Sequence, residues 1–196
     1  MSIFNRIKIL QGDICNYHGD AIVNAANSSL LGGGGVDGAI HFSAGIKLLE
    51  ECRKLNGCKT GEAKITAGYN LQAKFIIHTV GPIWQNGRND EASLLKNGYN
   101  NSLKLALKNG IRTIAFPSIS TGAYGYPFKP AAKIALETVF DFLQYNPVLD
   151  EVAFYCFSKN DFDIFNKILY DFKKRMAIPQ TANIAPKTET NPNFSL

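Results

Sequence analysis

Apolar and polar positions alternate along the chain with two periods that take turns. Residues 6–11 alternate polar and apolar, as a half-buried strand does, and Ala21-Ile22-Val23 is short, apolar and β-branched. Residues 35–55 read as helix in two pieces, broken near Gly45. Residues 63–67 and 74–80 read as strands, the second of them buried. Residues 92–108 place Leu95, Tyr99, Leu103 and Leu107 at helical spacing, with Asn109-Gly110 as the C-cap. A buried strand over 113–116, a helix over 130–143 with proline in its first turn, and a strand over 152–157 follow. The last helix, 161–174, carries Phe162, Phe165, Ile168, Leu169 and Phe172 on one stripe.

Strands and helices in alternation predict helices on both faces of a largely parallel sheet. In such folds ligands sit in a crevice at the carboxyl ends of the strands, which directs attention to the loops that follow them. Beyond Ile178 the residues are mostly Pro, Asn, Thr and Ala, with little to bury. The expected organisation is one folded domain over 1–177 and a disordered tail over 178–196.

Composition narrows the function classes. The 196 residues are 45% hydrophobic and 19% charged, as in a globular domain. Lys and Arg total 21 against 16 Asp and Glu, a net +5 that suits an anionic ligand. The one compact basic run, Lys173-Lys174-Arg175, reads as a solvated helix face, so nucleic acid is not the expected partner. No apolar run is long enough to span a bilayer, and the N-terminus lacks the pattern of a signal peptide. Cys15, Cys52, Cys58 and Cys156 form no CxxC pair and read as reduced thiols. A monomeric protein of the cytoplasm, away from membranes, is expected.

Three loops that follow strands carry residues that folding alone does not demand. Gly32-Gly33-Gly34-Gly35-Val36-Asp37-Gly38 concentrates glycine, the residue that loses most chain entropy on folding. Successive bare N–H groups form an anion-binding concavity, and a helix starting near Val36 adds its positive end; the alternative is a flexible surface loop. Gly33, Gly35 and Gly38 match the dinucleotide fingerprint only formally, since the segment Asn24 to Leu31 intervenes between the strand and the glycine run, and no Gly-Lys-Ser/Thr triplet occurs. Asp37 repels an anion, so it makes sense either as a group that handles a proton beside the phosphate or as the cap of the next helix. Spacing alone favours the cap.

The second loop, Pro117 to Pro127, holds Ser120, Thr121, Gly122, Ala123 and Tyr124, a second nest for a diphosphate or a structural turn. The third, Gly12-Asp13-Ile14, offers a carboxylate to an adenine amino group, or a turn residue. Of the two amides in Asn24-Ala25-Ala26-Asn27, Asn24 is assigned to satisfying buried backbone groups and Asn27 to a ligand hydroxyl. His41 falls one turn after Asp37, His78 reads as a satisfied core histidine, and His18 as exposed. No Ser–His or Cys–His pairing indicates a nucleophilic triad, and no cluster has metal-ligand spacing.

Taken in order, Gly12-Asp13-Ile14, the segment 21–27, the segment 32–41, Thr60-Gly61-Glu62-Ala63, the segment 77–82 and the segment 117–127 resemble the MacroD-type macrodomains. The resemblance runs from about Ile7 to about Phe172. It implies a three-layer α/β/α fold with a mixed, largely parallel central sheet and a cleft for ADP-ribose. By analogy Asp13 binds the adenine amino group, Ile14 donates a backbone N–H and Phe157 stacks on the base. Gly35, Val36 and Asp37, with Ser120, Thr121, Gly122, Ala123 and Tyr124, wrap the diphosphate, and Asn27 holds the distal ribose. The hydrolytic branch of the family carries the residues that match Asn27 and Asp37. It removes mono-ADP-ribose from acidic side chains of proteins and deacetylates O-acetyl-ADP-ribose. The alternative is a non-catalytic reader of ADP-ribose or poly-ADP-ribose. The bound ligand is itself substrate or product, so neither a cofactor nor a metal is expected.

Overall fold

The computed structural model describes residues 2–177; the expected tail at 178–196 lies outside the described residues. Six strands make one sheet: β1 (Ile7–Gln11), β2 (Ala21–Ala26), β3 (Ala63–Ala67), β4 (Phe75–Val80), β5 (Thr113–Pro117) and β6 (Glu151–Cys156). Five helices flank it: α1 (Gly35–Ala44), α2 (Ile46–Lys54), α3 (Glu91–Lys108), α4 (Phe128–Tyr145) and α5 (Lys159–Ala177). The strand order is β1-β6-β5-β2-β4-β3, parallel throughout except for β3 against β4. The largely parallel sheet with helices on both faces is what the alternation of periods predicts, and the mixed three-layer arrangement is what the resemblance implies.

The layers follow from side-chain direction. In a strand successive residues face opposite sides, and a sheet covered on both faces is apolar on both. Val23, Ile77, Phe116 and Phe154 point one way, into a core closed by Leu95, Tyr99 and Leu103 of α3, Leu136 of α4 and Phe165 of α5. Ile22, Ala26, Ile76 and Val80 point the other way, onto Ile40 of α1 and Leu48 and Cys52 of α2. Each fully buried Leu, Ile or Phe contributes about 1.5–3 kcal/mol relative to exposure, so both layers are firmly held.

Element ends are set by local chemistry. Gly45, at φ 85°, takes a conformation that costs a side-chain-bearing residue dearly; it ends α1 and starts α2, at the break expected there. Asn109 and Gly110, the latter at φ 67°, close α3 by donating to the carbonyls of its last turn, also as expected. Two local expectations are corrected. β2 continues to Ala26, so Asn24 lies inside the strand and not at its end. The N-cap of α1 is Gly34, and Asp37 is the third residue of the helix, so Asp37 is not the cap.

The register prepares the site. β2 and β5 pair only through Ala21↔Ile114 and Ile22↔Ala115, although both strands run on. Their carboxyl ends are therefore not laddered to each other. The glycine-bearing segments that follow these two strands leave the sheet from this parted edge.

Candidate functional site

A crevice of about 510 Å³ opens at the carboxyl ends of the parallel strands, within the range that holds small-molecule ligands. Three post-strand segments form its walls. Gly12, Asp13 and Ile14 follow β1; Ser118, Thr121 and Gly122 follow β5; Tyr155 and Phe157 lie at the end of β6. Gly35 and Val36, from the first turn of α1, close the remaining side. The two glycine turns thus meet across one crevice, although Gly35 and Gly122 stand far apart in sequence. A Cβ built on Gly34, Gly35 or Gly122 meets no protein atom within 4 Å, so the backbone is bare where a ligand would approach. Among the described residues no lysine or arginine lines the crevice; its charged side chains are two carboxylates, Asp13 and Asp161. An anion there is met by amide dipoles and the start of α1, not by cations.

Each expected residue has a definite place. The Asp13 carboxylate caps a single 3-10 turn, Ile14–Asn16, by accepting the Cys15 N–H at 2.9 Å through Oδ1. Its other oxygen accepts no backbone hydrogen bond among the described residues, so the turn role and a ligand role are compatible. Ile14 opens that turn, so its own N–H has no partner within it. Phe157 is 86% exposed on the crevice wall, a degree of exposure that packing does not explain. Of the second turn, Thr121 and Gly122 reach the wall. The Ser120 side chain is buried against Gly81, and its backbone holds φ 67°. Tyr124 is half-buried, and its carbonyl accepts the Trp84 N–H at 2.8 Å. Ser120, Ala123 and Tyr124 therefore brace or edge the turn, while Thr121 and Gly122 present it.

Asp37 is only 4% exposed. Asn24 Nδ2 donates to its Oδ1 at 2.7 Å, and His41 Nε2 lies 3.5 Å from the same oxygen. Asn24 thus binds a carboxylate and not the backbone groups assigned to it from sequence. Burial raises the Asp37 carboxyl above its ordinary range, opposed by the Asn24 hydrogen bond and then by His41. Asn27 laces the loop before α1: Nδ2 donates to the Gly32 carbonyl at 2.8 Å, and Oδ1 accepts the Ser29 N–H at 3.0 Å and its hydroxyl at 2.6 Å. Glycine at 33 lets the two expected catalytic groups converge. A Cβ there would stand 3.0 Å from Asp37 Oδ2 and 3.2 Å from Asn27 Nδ2.

His78 is a satisfied core histidine, bonded to Asn24 and Thr66. The fold also brings together a group no linear spacing shows: ligand atoms of His41, Cys52 and His78 lie within 4.8 Å of one another. The set does not suit a cation, because the His78 nitrogen that faces Cys52, Nε2, carries the hydrogen that Thr66 Oγ1 accepts, and its lone pair points away to Asn24. Burial, followed by the nearby carboxylates of Glu51 and Asp37, pushes the Cys52 thiol up to about 11. Sequence reasoning also missed Ser118, Tyr155 and Asp161 on the crevice wall. Tyr155 was within reach, since it shares with Phe157 the two-residue period of β6.

Fold and site together define an α/β domain with a crevice between two bare glycine turns, an exposed aromatic on its wall and a buried carboxylate in the helix whose first turn lines it. The chain belongs to the Macro domain family, whose model matches residues 23–135. It is 51% identical over 169 residues to an O-acetyl-ADP-ribose deacetylase of Escherichia fergusonii, covering 84% of this chain and 96% of that one. It is 54% identical over 177 residues to the ADP-ribose glycohydrolase MACROD2 of Xenopus laevis, covering 87% of this chain and 41% of that longer protein. The crystal structure of a Trypanosoma brucei macrodomain in complex with ADP-ribose superposes with a TM-score of 0.79 at 46% identity, covering 83% of this chain and 68% of that one.

Proposed function

We propose that the protein binds ADP-ribose in this crevice and hydrolyses esters at its distal ribose, removing mono-ADP-ribose from acidic side chains and deacetylating O-acetyl-ADP-ribose. The observation that carries the reading is the meeting of two bare glycine turns beside a buried carboxylate. The names of the two relatives above, a deacetylase and a glycohydrolase, support the same chemistry.

The ligand lies along the crevice in this reading. The adenine stacks on Phe157 and gives its amino hydrogen to the other oxygen of Asp13, with the Ile14 N–H as a further donor. The diphosphate rests on the backbone of Gly35-Val36 on one side and Thr121-Gly122 on the other. Asn27 aligns the distal ribose. Asp37, ionised, orients a water and takes its proton as the oxygen attacks; the ester bond breaks and yields one acid and one alcohol. A carboxylate beside a diphosphate weakens binding, and that cost is explained if the carboxylate acts on the bond being broken. Binding groups remote from Asp37 fix the scissile bond within reach, and loss of such positioning by about 1 Å lowers rates about a hundredfold.

The test incubates the full chain with a protein carrying glutamate-linked mono-ADP-ribose and, separately, with O-acetyl-ADP-ribose. Released ADP-ribose is expected from the wild type. Asp37→Ala is expected to bind ADP-ribose and to lose nearly all release. Release at the wild-type rate by Asp37→Ala removes Asp37 from the chemistry. Binding without release by the wild type makes the protein a reader.

A further inference from the structure

Beneath α1 and α2 the two central strands β2 and β4 are apolar, except at two positions. Asn24 and His78 interrupt the run of Ile22, Ala26, Ile76 and Val80 on that face. They are direct cross-strand partners in the β2–β4 ladder, and both are 0% exposed. Burying an amide and an imidazole there costs free energy that an apolar pair would not. Stability alone does not account for them.

The hydrogens of the pair can be assigned. Asn24 Nδ2 lies 2.7 Å from Asp37 Oδ1 and 3.1 Å from His78 Nδ1. An amide nitrogen only donates, so one N–H goes to the carboxylate and the other to the imidazole. His78 Nδ1 therefore carries the lone pair and Nε2 carries the hydrogen, which Thr66 Oγ1 accepts at 2.9 Å. A ring protonated on both nitrogens would set N–H against N–H. Burial, reinforced by His41, prevents this by pushing the His78 pKa down to about 3. The chain Thr66–His78–Asn24–Asp37 crosses β3, β4 and β2 and enters α1. Asn24 Oδ1, by contrast, is buried with no partner among the described residues. Nothing on the oxygen side holds the amide; only its two acceptors do.

We propose that His78 is a positioning residue for hydrolysis: its Nδ1 lone pair keeps the Asn24 amide turned N–H outward to Asp37, so that the carboxylate meets the distal ribose in one orientation. The proposal rests on Asp37 acting in the reaction. Asp37 changes its proton content during turnover and is then a poorer anchor, whereas the neutral imidazole keeps its lone pair throughout. With Oδ1 of Asp37 held from behind, Oδ2 faces Gly33 beside Asn27. Without the His78 acceptor the amide can rotate and set its carbonyl against the carboxylate. The other ionisable groups around Asp37 are His41 of α1 and the protonated Cys52 of α2. Neither touches the Asn24 amide nitrogen.

The test has two readouts that need no turnover. In the full wild-type chain, nitrogen NMR of labelled histidine is expected to show His78 as the Nε2–H tautomer from about pH 5 to 9. The Nδ1–H tautomer there overturns the proposal. Carbon NMR of the Asp37 carboxyl is expected to give a higher titration midpoint in His78→Leu than in the wild type. His78→Asn, whose Oδ1 falls near the position of Nδ1, is expected to restore the wild-type midpoint. In turnover, His78→Leu should lower kcat about tenfold to a hundredfold, the range of a lost hydrogen bond to a charged group. ADP-ribose affinity should not change, and the acid limb of kcat/KM should move to higher pH. His78→Asn should recover most of the rate. Equal midpoints and equal kcat in the Leu and Asn variants sink the proposal. Should His78→Leu fail to fold, a displaced midpoint in His78→Asn or the wrong wild-type tautomer still does so. Because tautomer and midpoint are read without substrate, their failure is distinct from an absence of hydrolysis.

Discussion

At the scale of single residues, the site holds a group that the fold would do better without. Asp37 is 4% exposed, and burial raises its carboxyl pKa. A folded-state pKa above the unfolded value means the unfolded chain ionises first as pH rises. The penalty is therefore absent below the ordinary value of 3.8, grows as pH rises through the window up to the raised value, and is full above it. Asp37→Asn keeps an oxygen for the Asn24 N–H and removes the charge. It is expected to raise Tm at neutral pH by ~2–4 °C, equivalent to about 1 kcal/mol in a chain of this size. The gain should shrink as pH falls toward the unfolded value, while turnover is lost. A thermal melt series across pH checks this; a loss of stability at neutral pH would show that the ionised carboxylate stabilises the fold. Residue types at this scale are half legible. Asp37 draws attention in the sequence because a carboxylate is out of place in a glycine-rich segment, and Asn27 because an amide follows a buried strand, but only the family resemblance joins the two. The partners Asn24 and His78 cannot, because their bond exists only once β2 and β4 pair in register.

At the scale of elements, glycine does two different jobs that a sequence shows as one. Gly122 lies on the crevice wall, and a Cβ there meets nothing of the protein. Gly81, after β4, is buried, and a Cβ there would run into the Ser120 hydroxyl and the Ile119 side chain. Gly81 therefore braces the second turn from behind, while Trp84 ties the same turn down through the Tyr124 carbonyl. Gly122→Ala is expected to leave Tm unchanged and to weaken ADP-ribose binding measured by calorimetry. Gly81→Ala is expected to lower Tm, with a cost of about 1–3 kcal/mol as in other overpacked sites, and to weaken binding through the displaced turn. If Gly122→Ala binds as the wild type does, the diphosphate does not rest on that turn. Strands and helices themselves are legible nearly throughout, because a two-residue period and a 3.6-residue period are hard to confuse over ten residues or more. Their ends drift by a residue or two where no side chain caps them, as at α4, which runs Phe128–Tyr145 against an expected 130–143 and has no side-chain cap at Pro127.

At the scale of the whole molecule, net charge and local charge point in different directions. The chain carries a formal +5, which on its own admits nucleic acid as a partner. The charge does not lie in the crevice, since among the described residues its wall has no lysine or arginine and two carboxylates. Its anion-holding capacity lies in backbone N–H groups and the start of α1, which displace no counterions in the way a row of cations on a polyphosphate does. ADP-ribose affinity is therefore expected to fall by less than about tenfold between about 50 and 200 mM salt, where a protein with many phosphate contacts loses about a thousandfold or more. Isothermal calorimetry at a few salt concentrations reads this directly, and a single-stranded oligonucleotide should compete poorly at every one of them. A steep loss would mean that surface lysines make the contact, and it would move the ligand out of the crevice. This contrast is invisible in composition, which counts charges without placing them. It becomes legible only when the parted carboxyl ends of β2 and β5 bring two uncharged glycine turns to face each other.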